Sequence, residues 1–148
     1  MSLPKVAVKK LRENAVLPTY GSAFAAGADL YAAIEEELCI LPGDTKLVPT
    51  GLAMEIPFGY GGFIYARSGL ASKRGLAPAN KVGVVDADYR GEVMVALHNH
   101  SSVAQNVAVG ERIAQLVIAP FLQVEYVEED VLSETVRGVG GFGSTGTK

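Results

Sequence analysis

Few of the side chains that carry covalent or metal chemistry occur in this sequence. Cys39 is the only cysteine, so no internal disulfide can form, and a reducing compartment fits. The only two histidines fall in His98-Asn99-His100, and a zinc site there would lack its third and fourth ligands. They read as surface or packing residues. Thirteen Lys and Arg against sixteen Asp and Glu leave a net charge of −3, without the basic excess of a nucleic-acid scaffold. No apolar run approaches the roughly 18 residues needed to cross a bilayer. Between Met1 and Leu11, lysines 5, 9 and 10 interleave with Val6 and Val8, so no apolar core of a secretory signal is present. A soluble, cytoplasmic protein with neither nucleic-acid nor membrane partners is expected. The G-x-x-x-x-G-K-[ST] phosphate loop is missing too. Gly138-x-Gly140-x-x-Gly143 fails as a dinucleotide fingerprint, because Lys148 ends the sequence before a helix and an acidic partner about 20 residues on could follow.

What is present is a strand-forming pattern. The 148 residues suffice for one domain burying roughly 70% of its unfolded surface. Leu52, Met54 and Ile56 alternate with Ala53 and Glu55, a period of two. Glu92–Leu97 and Ile113–Ile118 are apolar on nearly both faces, as strands sandwiched between two layers would be. Turn formers recur between the runs, at Pro42-Gly43-Asp44, Pro57-Phe58-Gly59, Tyr89-Arg90-Gly91 and Val109-Gly110-Glu111. Many short strands so spaced predict a sandwich, barrel or jelly roll. The one helix candidate is Ser68–Arg74: a serine opens it, Lys73 and Arg74 sit in its last turn, and Gly75 can take the left-handed stop. From Arg137 the sequence turns glycine-rich, which sets a boundary between a 1–136 body and a 137–148 tail.

Several segments place ligand-binding groups at bends, and each also has a plain reading. Asp86-Ala87-Asp88-Tyr89-Arg90-Gly91 offers a carboxylate and a ring, or is simply a hairpin turn. Asp29 follows Ala26-Gly27-Ala28, whose small side chains would let a ligand approach the backbone. Arg67-Ser68-Gly69 sets a cation and a hydroxyl at a helix start, which suits an anion, or is a surface arginine with a serine cap. The tail combines free amides, Arg137, Ser144 and Thr145, all able to grip phosphate, or is disordered.

Taken in order, five segments resemble the motifs of the trimeric dUTP pyrophosphatase (dUTPase) family. They are Ala26–Ala33, Arg67–Ala71, Gly83–Glu92, Gly110–Leu116 and Arg137–Gly146, and they span nearly the whole chain. One departure is Ala66, where many relatives have proline. The resemblance implies an all-β jelly roll with one short helix and a flexible C-terminal arm. It implies a homotrimer whose three sites are each built from all three subunits, and hydrolysis of dUTP to dUMP and pyrophosphate with Mg²⁺. By the same similarity Asp86 is the general base, Tyr89 stacks on the deoxyribose, and the bend around Asn80, Gly83 and Val85 reads uracil. A tight hairpin there would exclude the methyl group of dTTP. Arg67, Ser68, Gly69 and Gln115 meet the α- and β-phosphates. Arg137, Gly143, Ser144 and Thr145 hold the γ-phosphate, and Phe142 covers the base. Asp29 steers Mg²⁺ through bound water. The alternatives are a dCTP deaminase of the same fold, whose relatives usually read Arg-Ser-Ser at 67–69, and a non-catalytic nucleotide-binding or regulatory module.

Overall fold

The computed structural model describes residues 2–147. Among the described residues twelve short strands and one helix follow one another. The first six strands are β1 (Ala7–Lys10), β2 (Thr19–Tyr20), β3 (Ala28–Tyr31), β4 (Leu38–Ile40), β5 (Thr45–Pro49) and β6 (Leu52–Glu55). After β7 (Tyr60–Tyr65) comes the helix α1 (Ser68–Arg74). Then follow β8 (Leu76–Pro78), β9 (Gly83–Val85), β10 (Met94–Asn99), β11 (Gln105–Val107) and β12 (Arg112–Pro120). The largest sheet has the order β2-β3-β12-β7-β9; β5-β10-β8 form a second, and β1-β6 and β4-β11 pair separately. Every pairing is antiparallel, an all-β, jelly-roll-like architecture.

The sheets close over one core in which Leu30, Ile40, Val48, Leu52, Leu76, Val95, Leu97, Val107 and Ile113 are fully buried. Asn99, also fully buried, ties the strand ends together. Its amide donates to the carbonyls of Ile40 (2.9 Å) and Val103 (2.8 Å), and its oxygen accepts from the amide and hydroxyl of Ser101. The neighbouring His98 bonds Thr45 through Nδ1 at 2.9 Å, while His100 is exposed. Asn99 therefore serves packing, and His98 a bond between neighbouring strands.

The helix occupies the expected residues, and Gly75 stops it at φ 68° with its amide bonded to the carbonyl of Ala71. The serine opens it as expected but does not cap it. Arg67 is the N-cap, Ser68 is the first helical residue, and no side chain caps the amides. The strand expected over 92–97 begins at Met94 and runs to Asn99, and its side chains alternate between buried and open rather than being covered on both faces. Met94, Ala96 and His98 point to the less buried side. The segment 86–91 is not a ladder hairpin either. β9 pairs with β7 and β10 with β5 and β8, so the chain crosses from one sheet to the other between them. The same holds for the tight turn at Asn80–Lys81, where Lys81 takes φ 65°: the flanking β8 and β9 lie in different sheets. Alternation and turn formers describe a sheet-to-sheet corner and a hairpin alike, and only pairing separates them.

Beyond β12 the chain leaves the body. Residues 120–139 are exposed throughout, including Leu122, Val124, Tyr126, Val127, Leu132 and Val136. The sequence boundary at 136/137 followed the glycine content, whereas the last strand ends at Pro120.

Candidate functional site

The residues singled out by sequence fall into three groups at three places on the chain. The first gathers where β3, β12 and the start of α1 meet. Gln115 lies opposite Asp29 on one side and Tyr65 on the other, because β12 is flanked by β3 and β7. Asp29, Arg67, Ser68, Gly69 and Gln115 together line a hollow of about 240 Å³. Its electrostatics centre on Asp29, whose side chain is 14% exposed and accepts two cations. Arg67 Nε sits 3.0 Å from Oδ1, and Arg112 Nη1 is 3.6 Å from Oδ2. Arg67 also donates to the carbonyl of Arg112 at 3.3 Å. Arg112 went unassigned by sequence, although it lies inside the fourth motif. A polyphosphate entering this hollow would meet one carboxylate offset by two guanidiniums, with the Ser68 hydroxyl beside them.

Of the small residues before Asp29, Gly27 has a packing task beside the one expected of it. A Cβ on Gly27 would run into the Gln115 side chain, so glycine makes room for that amide while also lining the hollow. Gln115 Nε2 then donates to the carbonyl of Ala66 at 2.9 Å, tying β12 to the segment leading into Arg67. Gly27→Ala should therefore overpack this crossing and cost about 1–3 kcal/mol. Gly69 has nothing within 4 Å of a Cβ position, so Gly69→Ala should leave stability unchanged or slightly raised. Urea unfolding of the two variants at equal concentration checks the contrast.

The second group collects at the edge strand β9 and the crossing that follows it. Asn80, Gly83, Val85, Asp86 and Tyr89 line a hollow of about 280 Å³. Asp86 is exposed immediately after β9, and its carbonyl accepts the Tyr89 amide at 3.1 Å, which turns the chain back over the hollow. Tyr89 is 46% exposed, its hydroxyl donates to the carbonyl of Glu92 at 2.9 Å, and its ring lies over Gly91, where a Cβ would collide with it. Gly83 is bare beneath Asn80 and Ile64. Asp86 also borders a wider hollow of about 810 Å³, walled by Phe58, Phe63 and Phe121. Among the described residues no cation lines that space, so it does not suit a polyphosphate.

The third group is the tail. Arg137, Gly143, Ser144, Thr145 and Phe142 line neither of the two smaller hollows. The tail's hydrogen bonds are local turns: Arg137 Nε to the Gly140 carbonyl, the Ser144 amide to Gly141, the Gly146 amide to Gly143. Phe142 is fully exposed at φ 50°.

No set of three or more His, Cys, Asp or Glu side chains among the described residues could hold a metal ion. The lone Asp29 carboxylate, with both oxygens facing guanidiniums, suits contact with a hydrated ion rather than an all-protein cage. Mg²⁺ accepts that arrangement, since it keeps waters and takes phosphate ligands. No helix among the described residues is long and apolar enough to cross a membrane.

The dUTPase family model matches residues 13–146. Deoxyuridine 5'-triphosphate nucleotidohydrolases of Nautilia profundicola and Desulfitobacterium hafniense are each 51% identical to this chain. The alignments cover 96% and 99% of it and 99% of each relative. A mutant Staphylococcus bacteriophage 80alpha dUTPase solved with dUpNHpp superposes with a TM-score of 0.90 at 28% identity, covering 98% of this chain and all of that one. A mutant dUTPase from phage phi11 of S. aureus, whose structure reveals coordination of a structural Mg(II) ion, matches with a TM-score of 0.78 at 25% identity. That match covers 86% of this chain and 98% of the other.

Proposed function

Because the chain belongs to the dUTPase family and is a dUTP diphosphatase, we propose that its three residue groups are parts of one site completed only in a homotrimer. The observation that carries this reading is their separation. The hollow holding Asp86 and the hollow holding Arg67 and Gln115 share no lining residue. Each is smaller than the roughly 300–1,000 Å³ of a typical ligand pocket. Nucleoside-reading groups without phosphate cations, and the converse, make sense if two subunits each supply half. The tail, seated on neither half, is then the third subunit's contribution.

In that site the turn at Asn80–Lys81 and the backbone from Gly83 to Val85 read the uracil edge, and the Tyr89 ring stacks on the deoxyribose where a 2′-hydroxyl would collide. Asp86 accepts a proton from a water and directs its oxygen at the α-phosphorus. The P–O bond to the β-phosphate breaks on the far side, releasing pyrophosphate and dUMP. Arg67, the Ser68 hydroxyl and the Gln115 amide orient the α- and β-phosphates, with Gly69 leaving them room. Arg67 must exchange Asp29 for phosphate, and Arg112 remains to hold that carboxylate in place. Arg137, Ser144, Thr145 and the Gly143 amide take the γ-phosphate as Phe142 closes over the base. Bound Mg²⁺, reached by Asp29 through its waters, would supply charge neutralisation on the phosphate oxygens. The remaining neutralisation comes from the guanidiniums, fixed where charge develops.

Pyrophosphate release from dUTP, dTTP, dCTP and UTP tests the reading, with ammonia release from dCTP as the test for a deaminase. dUTP should be preferred over the others by about 10²-fold or more in kcat/KM. Ammonia from dCTP, or binding of dUTP without turnover, would overturn it.

A further inference from the structure

The Tyr89 ring is held by a carbonyl, and that carbonyl belongs to the residue most firmly clamped in the crossing between β9 and β10. Arg12 grips the Glu92 carboxylate with two bonds, Nε to Oε2 at 2.9 Å and Nη2 to Oε1 at 3.1 Å, across 80 residues of sequence. The Gly51 amide adds a third bond, to Oε2 at 2.9 Å. Gly51 sits in the turn between β5 and β6 at φ 70°, and its own carbonyl accepts the Leu11 amide at 2.7 Å. One residue on, the Val93 amide donates to Leu52, while its carbonyl accepts from the buried Thr50 hydroxyl at 2.6 Å. The Val93 amide sets the plane of the peptide carrying the Glu92 carbonyl. The carboxylate clamp sets the Cα before it, and so the path of Gly91 beneath the ring.

We propose that Arg12 is a positioning residue for sugar selection: by clamping Glu92 it fixes where the Tyr89 ring lies. The proposal rests on the reading of Tyr89 as the ring that crowds the 2′ position. The pair is matched for the task. Mutual hydrogen bonding raises the Arg12 pKa above its ordinary value and holds the Glu92 carboxyl below the usual carboxylate range, so both stay charged at neutral pH. Glu92 lines the same hollow as Asp86 and Tyr89, whereas Arg12 lies outside it and touches no proposed substrate atom. A second ion pair on the crossing, Arg90 with Glu55 at 3.3 Å, is at least half exposed at both ends and serves as the control.

The test compares kcat/KM for dUTP and UTP in Arg12→Met, Arg12→Lys, Glu55→Gln, Tyr89→Ala and the Arg12→Met/Tyr89→Ala double variant. Arg12→Met should lower the dUTP-to-UTP ratio about two- to fivefold, the scale of one partly exposed ion pair. Arg12→Lys should restore part of the loss, and Glu55→Gln should change nothing. The double variant should match Tyr89→Ala alone, since without the ring the clamp has nothing to place. Equal losses for both nucleotides, an unchanged ratio, or additive losses in the double variant would each overturn the proposal. Fluorotyrosine labelling gives a readout free of turnover: the Tyr89 resonance, identified by its absence in Tyr89→Phe, should shift in Arg12→Met. If Tyr89→Ala leaves the ratio intact, the sugar reading of Tyr89 falls, and the fluorine signal still judges the clamp. A resonance that stays put overturns it whichever way the ratios go. Should Arg12→Met fail to fold, Glu92→Gln, which keeps the shape and loses the charge, takes its place in every comparison.

Discussion

Asp86→Asn should lower kcat by roughly 10²–10⁴-fold, the usual span for loss of a general base. Dissociation of dUTP should change far less, because an amide fills the same volume beside Tyr89 and leaves the uracil-reading turn untouched. Fold stability should hold as well: Asp86 is exposed, and only its carbonyl is hydrogen-bonded, to the Tyr89 amide. Single-turnover pyrophosphate release and equilibrium binding, measured on the same preparation, separate the two effects. Near-normal turnover would remove Asp86 from the chemistry. Equal losses of binding and turnover would make it a binding group instead.

Two inactive proteins should rescue each other. Deletion of residues 137–148 should abolish most turnover, since the arm aligns the triphosphate and shuts out water. The body should still fold, because among the described residues the tail's hydrogen bonds reach no further back than Thr135, itself exposed. Mixing this deletion with Asp86→Asn by joint unfolding and refolding creates trimers of mixed parentage. A working site needs its aspartate from the truncated parent and its arm from the other. With random assortment, about one site in four meets both conditions, so activity should recover to about a quarter of wild type. If mixed trimers form and stay inactive, the arm folds over its own chain's aspartate, and the division of the site among subunits is wrong.

The strands, the helix and its glycine stop were legible because each rests on local rules: period two, basic residues in the last turn, glycine in a left-handed position. The crossing at 86–93 was not. Its turn formers announce a reversal of direction, but whether β9 and β10 pair with each other depends on β7 and β5, residues far away in sequence. Gly27 shows the same limit from another side. Its smallness was visible, yet the side chain needing the space, Gln115, comes from 88 positions later. Asp29 was found by motif, but its engagement by both Arg67 and Arg112 is a product of the β3–β12 ladder. Arg12 gave no signal at all. It is a lone arginine near the start of the chain, and only the fold brings it to Glu92.

The exposed run from Pro120 to Val139 exposes this protein to proteases. It contains Leu122, Phe121, Tyr126 and Arg137, all exposed and outside any strand or helix. A brief treatment with trypsin should therefore cut after Arg137, the only basic residue in the run, and leave a chain one residue longer than the truncated protein. Substrate that draws the arm over a neighbour would slow the cut. The rate of cleavage then becomes a clock for arm closure, read on a gel, in which nucleotide diphosphates and triphosphates can be ranked by how long they keep the tail intact.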